Sequence, residues 1–309
     1  MSLFLTNTCG RKKELFATID KDVVKIYTCG PTVYDYVHIG NFRTFLFEDL
    51  LRRYLKHLGF KIIQVMNITD VDDKTIQASS REGLSLKEYT EKYVKFFFQD
   101  LDMLRIQHAE FYPRATDHID DMVEIISVLL KHEFAYQRDD AVYFDVSKRH
   151  QYGKLSRIST KNVGLRVAAD DYSKDQVRDF ALWKAWNKSD GDVFWETRLG
   201  KGRPGWHIEC SAMSMKYLGE SFDIHVGGVD LAFPHHENEI AQSESVTGKT
   251  FSRFWLHCEH LVVESVKMSK SLGNCYTLRD LINLDHDPVA IRFLLLSTNY
   301  RSQLNFTFA

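Results

Sequence analysis

The sequence predicts an α/β protein built on a parallel sheet. A β-branched and aromatic run from Val23 to Cys29 is followed by a long amphipathic segment and then by a second apolar run, Lys61 to Ile68. Strand, helix, strand at this spacing is a βαβ unit, which sets its two strands in parallel with a right-handed crossover. The same alternation resumes near Trp206, and between the two stretches the composition changes character.

The first helix is expected from about Asn41, because Phe42, Phe45, Leu46, Leu50, Tyr54, Leu55 and Leu58 recur at helical spacing and Gly59 follows as a C-terminal stop. Further helices are expected over about Ser85 to Leu104 and Thr116 to Lys131, with Thr116 as N-cap. From Phe134 to Lys201 short strand signals such as Ala141 to Val146 alternate with polar turns at Tyr172 to Gln176 and Lys188 to Asp192, which reads as an insertion. After it come a helix over Glu209 to Leu218, a strand over Phe222 to Val226, and a helix opening at Pro234, where proline suits the first turn. Strands over Phe254 to His257 and Leu261 to Val263 and a helix over Pro288 to Ser297 complete the pattern.

Composition limits the function. Apolar residues are 44% and charged residues 27% of the 309, an ordinary globular balance. Five scattered cysteines with no CxxC pair indicate a reducing compartment rather than a disulfide framework. The start lacks the order of a secretory signal, and no run approaches the roughly 18 apolar residues of a membrane span. The expectation is a cytoplasmic protein without a membrane partner. A net charge of -2 leaves any nucleic-acid contact to a local basic patch.

Three segments carry candidate chemistry. The loop Cys29 to Asn41 lies between the first strand and first helix, where the carboxyl ends of parallel strands and a helix N-terminus attract phosphate; Gly40 allows close backbone approach and His38 offers a donor. Lys267-Met268-Ser269-Lys270-Ser271, bounded by Gly273, brings two cations to one loop. His235 and Glu239 stand four residues apart on one helical face, a nitrogen and an oxygen within reach of one ion if thiolates converge on them, and Cys29 and Cys210 are placed to do so. Each has a plain alternative: a turn glycine, a structural histidine, solvated lysines, a surface His/Glu pair, and cysteine as core filler.

His38-Ile39-Gly40-Asn41 near the start and Lys267-Met268-Ser269-Lys270-Ser271 near the end resemble the two signatures of class I aminoacyl-tRNA synthetases. Cys29 to Asp35, Asn67 to Lys74, Gly205 to Met213 and Phe233 to Glu239 resemble the cysteinyl-tRNA synthetase family, and the resemblance runs from residue 3 to 307. It implies a Rossmann-like catalytic domain in two halves, 1–115 and 205–262, a connective insertion over 116–204, and over 263–309 the lysine-serine loop with the start of a helical domain. It implies Cys29, Cys210, His235 and Glu239 as ligands of one zinc ion that grips the substrate sulfur. It further implies His38, Gly40, Asn41, Gly228, Asp230, Lys267 and Lys270 at ATP, with Mg²⁺ escorting the phosphates. Cys29, Thr69 and Trp206 would line the cysteine pocket, and His38, Lys267 and Lys270 would stabilise transition-state charge.

The implied reaction is adenylation of L-cysteine by ATP and transfer to tRNA(Cys) by a monomer. Two relatives of the fold remain as alternatives: a ligase joining cysteine to an amino sugar and a non-catalytic RNA-binding paralogue. Asn41 departs from the signature's usual second histidine and keeps a donor without a titratable charge. The chain stops 38 residues after Ser271, where the family continues into a helical bundle and an anticodon-reading domain, so the expectation is activation with poor charging of tRNA.

Overall fold

The computed structural model describes residues 2–158, 179–269 and 272–308. Lys270 and the expected turn at Tyr172 to Gln176 lie outside the described residues. In chain order the elements begin with β1 (Phe4–Asn7), β2 (Lys12–Leu15), β3 (Val23–Thr28), α1 (Ile39–His57), β4 (Lys61–Met66), α2 (Asp73–Glu82), α3 (Leu86–Met103) and α4 (Ile119–Lys131). Then follow β5 (Ala135–Arg138), β6 (Ala141–Phe144), β7 (Phe180–Ala185), β8 (Trp195–Thr197), β9 (Gly200–Pro204), α5 (Trp206–Leu218), β10 (Phe222–Gly228), α6 (His235–Thr247) and β11 (Ser252–Cys258). Last are β12 (Leu261–Val263), β13 (Val266–Lys267), α7 (Leu278–Asn283), α8 (Pro288–Leu296) and β14 (Leu304–Phe306).

A four-stranded sheet in the order β11-β10-β3-β4 forms the base of the molecule, and every pairing in it is parallel. The chain runs from β3 through α1 to β4 on one side, leaves the sheet, and returns through α5 to β10 on the other side of β3. Strand order therefore reverses between β3 and β10, and such a reversal opens a crevice at the carboxyl ends of the strands. A five-stranded antiparallel sheet, β5-β6-β7-β9-β8, occupies the excursion. Its Phe144, Phe180, Leu182 and Trp183 share one apolar core with Tyr27, Val65 and Ile208, so the insertion is packed onto the parallel sheet.

Helix α1 departs from the simple stripe expected of it. Phe42, Phe45, Leu46 and Leu55 are buried as the periodicity predicts, but Leu50 and Tyr54 are 48% and 43% exposed. The helix is enclosed by the sheet on one side and by α8 and β12 on others, so charged residues are buried on it too, and Leu50 and Tyr54 fall on the strip left to solvent. Arg43 is the clearest case. Its guanidinium donates to the carbonyls of Glu259 at 2.7 Å, His260 at 2.5 Å, Asn299 at 3.4 Å and Ser302, tying the loop after β11 to the loop before β14. Arg43→Met fills the space but orphans four carbonyls, and unfolding in urea should show a loss of about 3–5 kcal/mol at unchanged m-value.

Other differences have local causes. Thr116 does not cap α4: it lies in a short 3₁₀ turn, Ala115–His118, and its hydroxyl and N–H both donate to Asp70, at 2.6 and 3.0 Å. Helix α5 begins at Trp206 rather than Glu209, which moves Cys210 into its second turn. Pro234 stands at the N-cap of α6 rather than inside its first turn. Among the described residues, no helix is long and apolar enough to cross a membrane.

Candidate functional site

The crevice between β3 and β10 deepens into a cavity of about 710 Å³. Its shape follows from the strand ends. Cys29 and Gly30 continue β3, Asn67 and Thr69 continue β4, Gly228 ends β10 and Cys258 ends β11, so each contributes to one floor. Gly30 allows this crowding: a Cβ there would collide with the carbonyl of Asn67, whose side chain accepts the Gly30 N–H at 2.9 Å.

One end of the cavity is a buried donor cluster. Cys29, Cys210, His235 and Glu239 offer one ligand atom each, all within 4.8 Å of one another and all buried. The His235 Nε2 to Glu239 Oε1 separation is 3.2 Å, and Cys29 Sγ to Glu239 Oε1 is 4.0 Å. Neighbouring donors around a tetrahedral zinc with mixed sulfur, nitrogen and oxygen ligands stand roughly 3.3–3.8 Å apart, so modest closure would suffice. A second group, Cys29, His225, His236 and Glu239, meets the same distance criterion and shares two members with the first.

The electrostatics fit a cation. Burial pushes the Glu239 carboxyl up to about 8, and burial together with Cys210 and Glu239 drives the Cys29 thiol well above its usual range. Burial and neighbouring imidazoles hold His225 and His236 far below the ordinary histidine value, and His257 is brought down to about 3. Burial thus favours the neutral forms of these groups, and a divalent ion is the partner that would let the Cys29 thiol and the Glu239 carboxyl ionise together.

Sequence reasoning missed the imidazoles behind this cluster. His225 Nε2 is 2.8 Å from Glu239 Oε2, His236 Nδ1 is 2.8 Å from His257 Nε2, and His257 Nδ1 is 2.8 Å from Thr8 Oγ1. His207 Nδ1 lies 2.8 Å from His235 Nδ1. The available signal was a histidine inside each of two largely buried strands, His225 at the middle of β10 and His257 near the carboxyl end of β11. The Trp206 ring stacks on His235 with centroids 4.2 Å apart and walls the cavity beside it. Thr69 is buried, and its hydroxyl donates to Glu209 at 2.9 Å.

The other end of the cavity is the start of α1. His38 is its N-cap, with Nδ1 accepting the Asn41 N–H at 3.3 Å, and no acidic residue occupies the first turn. His38, Gly40 and Asn41 line the cavity with Gly228, Asp230, Lys267 and Met268. Gly40 lies so close to Met268 that a Cβ would strike its methyl group, and the Ile39 N–H donates to the Tyr276 carbonyl at 2.9 Å. The two signature segments therefore touch. Of the residues singled out from the sequence, Glu239 sits behind the lining and the rest of the described ones line the cavity.

A family model described as tRNA synthetases class I (C) catalytic domain matches residues 15–309. The chain belongs to the class I cysteinyl-tRNA synthetase family. A cysteine–tRNA ligase of Koribacter versatilis (strain Ellin345) is 57% identical over 311 residues, covering 100% of this chain and 62% of that protein. One of Protochlamydia amoebophila (strain UWE25) is 54% identical over 312 residues, covering 99% of this chain and 65% of that protein. The chain thus spans slightly under two thirds of the length of these curated relatives. A Mycobacterium tuberculosis methionyl-tRNA synthetase in complex with methionyl-adenylate has the same fold, with TM-score 0.70 at 13% identity over 93% of this chain and 66% of that one. The family's α/β catalytic domain is thus the parallel sheet described above, with the antiparallel sheet as its insert.

Proposed function

We propose that this chain activates cysteine with ATP and passes the cysteinyl group to the 3′-terminal ribose of tRNA(Cys). One observation carries the reading: a single cavity is bordered at one end by two thiols and an imidazole, with a carboxyl behind them within ligand distance, and at the other by a helix N-terminus and a lysine. The first end suits a soft metal and a sulfur substrate, the second suits phosphate. The names of the similar proteins, cysteine–tRNA ligases, support cysteine and tRNA as the pair that is joined.

Of the two donor groups, this reading takes Cys29, Cys210, His235 and Glu239 as the ligands of one zinc ion. Two thiolates favour zinc more than one does, and Cys29, Cys210 and His235 border the cavity where a substrate sulfur can arrive. His225 and His236, off the cavity, orient Glu239 and Cys29 from behind. Zinc bound there supplies a Lewis acid that favours the substrate's thiolate over a serine hydroxyl, and a contact that specific can reject the analogue by roughly 10⁴.

The chain's own residues supply positioning and charge. Trp206 covers His235 and keeps water from the sulfur end, while Thr69, held by Glu209, and Cys29 shape the floor. The substrate carboxylate attacks the α-phosphorus of ATP, an O–P bond forms, and the bond to the β-phosphate breaks to release pyrophosphate. His38 donates to the phosphates through Nε2, since its Nδ1 is engaged as an acceptor. Lys267 and Lys270 offset the charge that builds up, Gly40, Asn41, Gly228 and Asp230 hold the nucleotide, and Mg²⁺ accompanies it. In the second step the ribose hydroxyl attacks the adenylate carbonyl and AMP leaves. The division at 1–115, 116–204, 205–262 and 263–309 and action as a cytoplasmic monomer belong to the same proposal.

The test is cysteine-dependent ATP–pyrophosphate exchange by the zinc-replete 309-residue chain, with serine as control, followed by charging of tRNA(Cys). We expect exchange with cysteine, none measurable with serine, and charging that is slow for this chain. Absence of exchange would overturn activation. Charging as fast as exchange would overturn only the expectation of slow transfer, and transfer to an amino sugar instead of tRNA would reassign the acceptor.

A further inference from the structure

Helix α6 carries His235 and Glu239 on the face turned to Cys29 and Cys210. Two residues on from His235, at about 100° per residue, Glu237 points to the opposite side of the helix. It is buried, and its carboxylate is fully engaged with one short loop. Oε1 accepts the Gly153 N–H at 2.8 Å, and Oε2 accepts the Leu155 N–H at 3.0 Å, the Ser156 N–H at 2.8 Å and the Ser156 hydroxyl at 3.0 Å. Further contacts reinforce the same clasp. The Tyr152 hydroxyl donates to Asn238, and Glu244, on the Glu237 face two turns on, pairs with Arg149 at 2.6 Å and with Lys154 at 2.6 Å.

We propose that Glu237 is a positioning residue for the metal site: it fixes the rotation of α6 by clasping residues 153–156, and so sets where His235 and Glu239 stand against the two thiols. The inference rests on the zinc reading above. Its physical basis is rigidity. On the ligand face His235 and Glu239 are each held by one short contact from another element, to His207 and to His225 at 2.8 Å, whereas Glu237 takes four directional bonds on the opposite face. Those donors are neutral and mostly backbone, so they fit a carboxylate and not an amide. A glutamine would bring its own N–H₂ against them and release the loop.

The experiment uses the whole chain stripped of metal and titrated with Co²⁺ and then Zn²⁺, following the thiolate-to-cobalt charge-transfer band. For Glu237→Gln we expect metal affinity to fall about 10–100-fold, as for other groups that orient ligands without touching the metal, together with a changed cobalt spectrum. KM for cysteine should rise while KM for ATP holds. Ser156→Ala, which removes one donor and leaves the carboxylate, should move the same quantities less and in the same direction, and it serves if Glu237→Gln does not fold. Glu244→Gln, two turns further from the ligands, should loosen the loop, seen as faster proteolysis, and lower metal affinity less than Glu237→Gln does. Wild-type metal affinity and spectrum in both Glu237→Gln and Ser156→Ala would overturn the proposal, as would equal losses in Glu244→Gln. Failure of the unaltered chain to bind Co²⁺ or Zn²⁺ would overturn the zinc reading itself, and this inference with it.

Discussion

Cys210→Ser should lower bound zinc from about one per chain to well under half and raise the KM for cysteine by more than about 10², while the end of the cavity proposed for ATP is untouched. The substitution is nearly isosteric at a fully buried position, so the fold has little reason to change. What it removes is one of two soft donors, and with it a neighbour that interacts directly with the Cys29 thiol. The overlapping group of Cys29, His225, His236 and Glu239 makes the experiment more informative. If the ion slides inward to that group, zinc content survives but the metal retreats from the cavity, and the cysteine KM still rises. Unchanged stoichiometry together with an unchanged KM would remove Cys210 from the site. Cys9→Ser is the control, because Cys9 is half-buried, lies outside the cavity and should alter neither quantity. Metal analysis by mass spectrometry beside exchange kinetics reads both.

The parts of this site legible in the sequence are those carried by local patterns. The run from Val23, the helix after it and the second run from Lys61 specify a parallel pair through spacing alone, and the structure has that pair as β3 and β4. The loop from Cys29 to Asn41 follows, because it joins β3 to the start of α1. The metal cluster required more: Cys29 and Cys210 are far apart in the chain, and only the return of β10 to the far side of β3 brings them together. The histidine layer was not legible for the same reason. His225 and His257 each sit in an apolar strand where a lone histidine reads as a structural residue, and their convergence on Glu239 and His236 depends on strand order, which spacing does not encode. Helix α2 was missed because Asp73–Glu82 is short and polar, and its start is marked by Asp72 with Thr75 rather than by the commoner serine with glutamate. Leu50 and Tyr54 share the helical periodicity yet face solvent, because periodicity reports one buried stripe and α1 is buried on almost every side.

His38→Asn should cut the rate of cysteine-dependent pyrophosphate exchange by about 10² to 10³ while leaving zinc content and the fold intact. The choice of asparagine separates the capping that His38 performs from the phosphate contact proposed for it. As N-cap of α1 its Nδ1 accepts the Asn41 N–H, and asparagine is among the best residues for that task, so the helix keeps its start; alanine would lose about 1 kcal/mol of stability there and confuse the result. What asparagine cannot reproduce is the reach of the ring, whose Nε2 carries the proton once Nδ1 is an acceptor. A triphosphate bound as proposed would still be attracted by the helix N-terminus, since no carboxylate in the first turn cancels its field, and the KM for ATP should therefore change less than the rate. A loss confined to the rate is the mark of an interaction made mainly in the transition state. In the proposed reaction Lys267, which lines the same cavity, acts on the same phosphates, so His38→Asn combined with Lys267→Ala should lose less than the product of the two single losses. An exchange rate within threefold of the unaltered chain for His38→Asn would leave His38 a cap and nothing more.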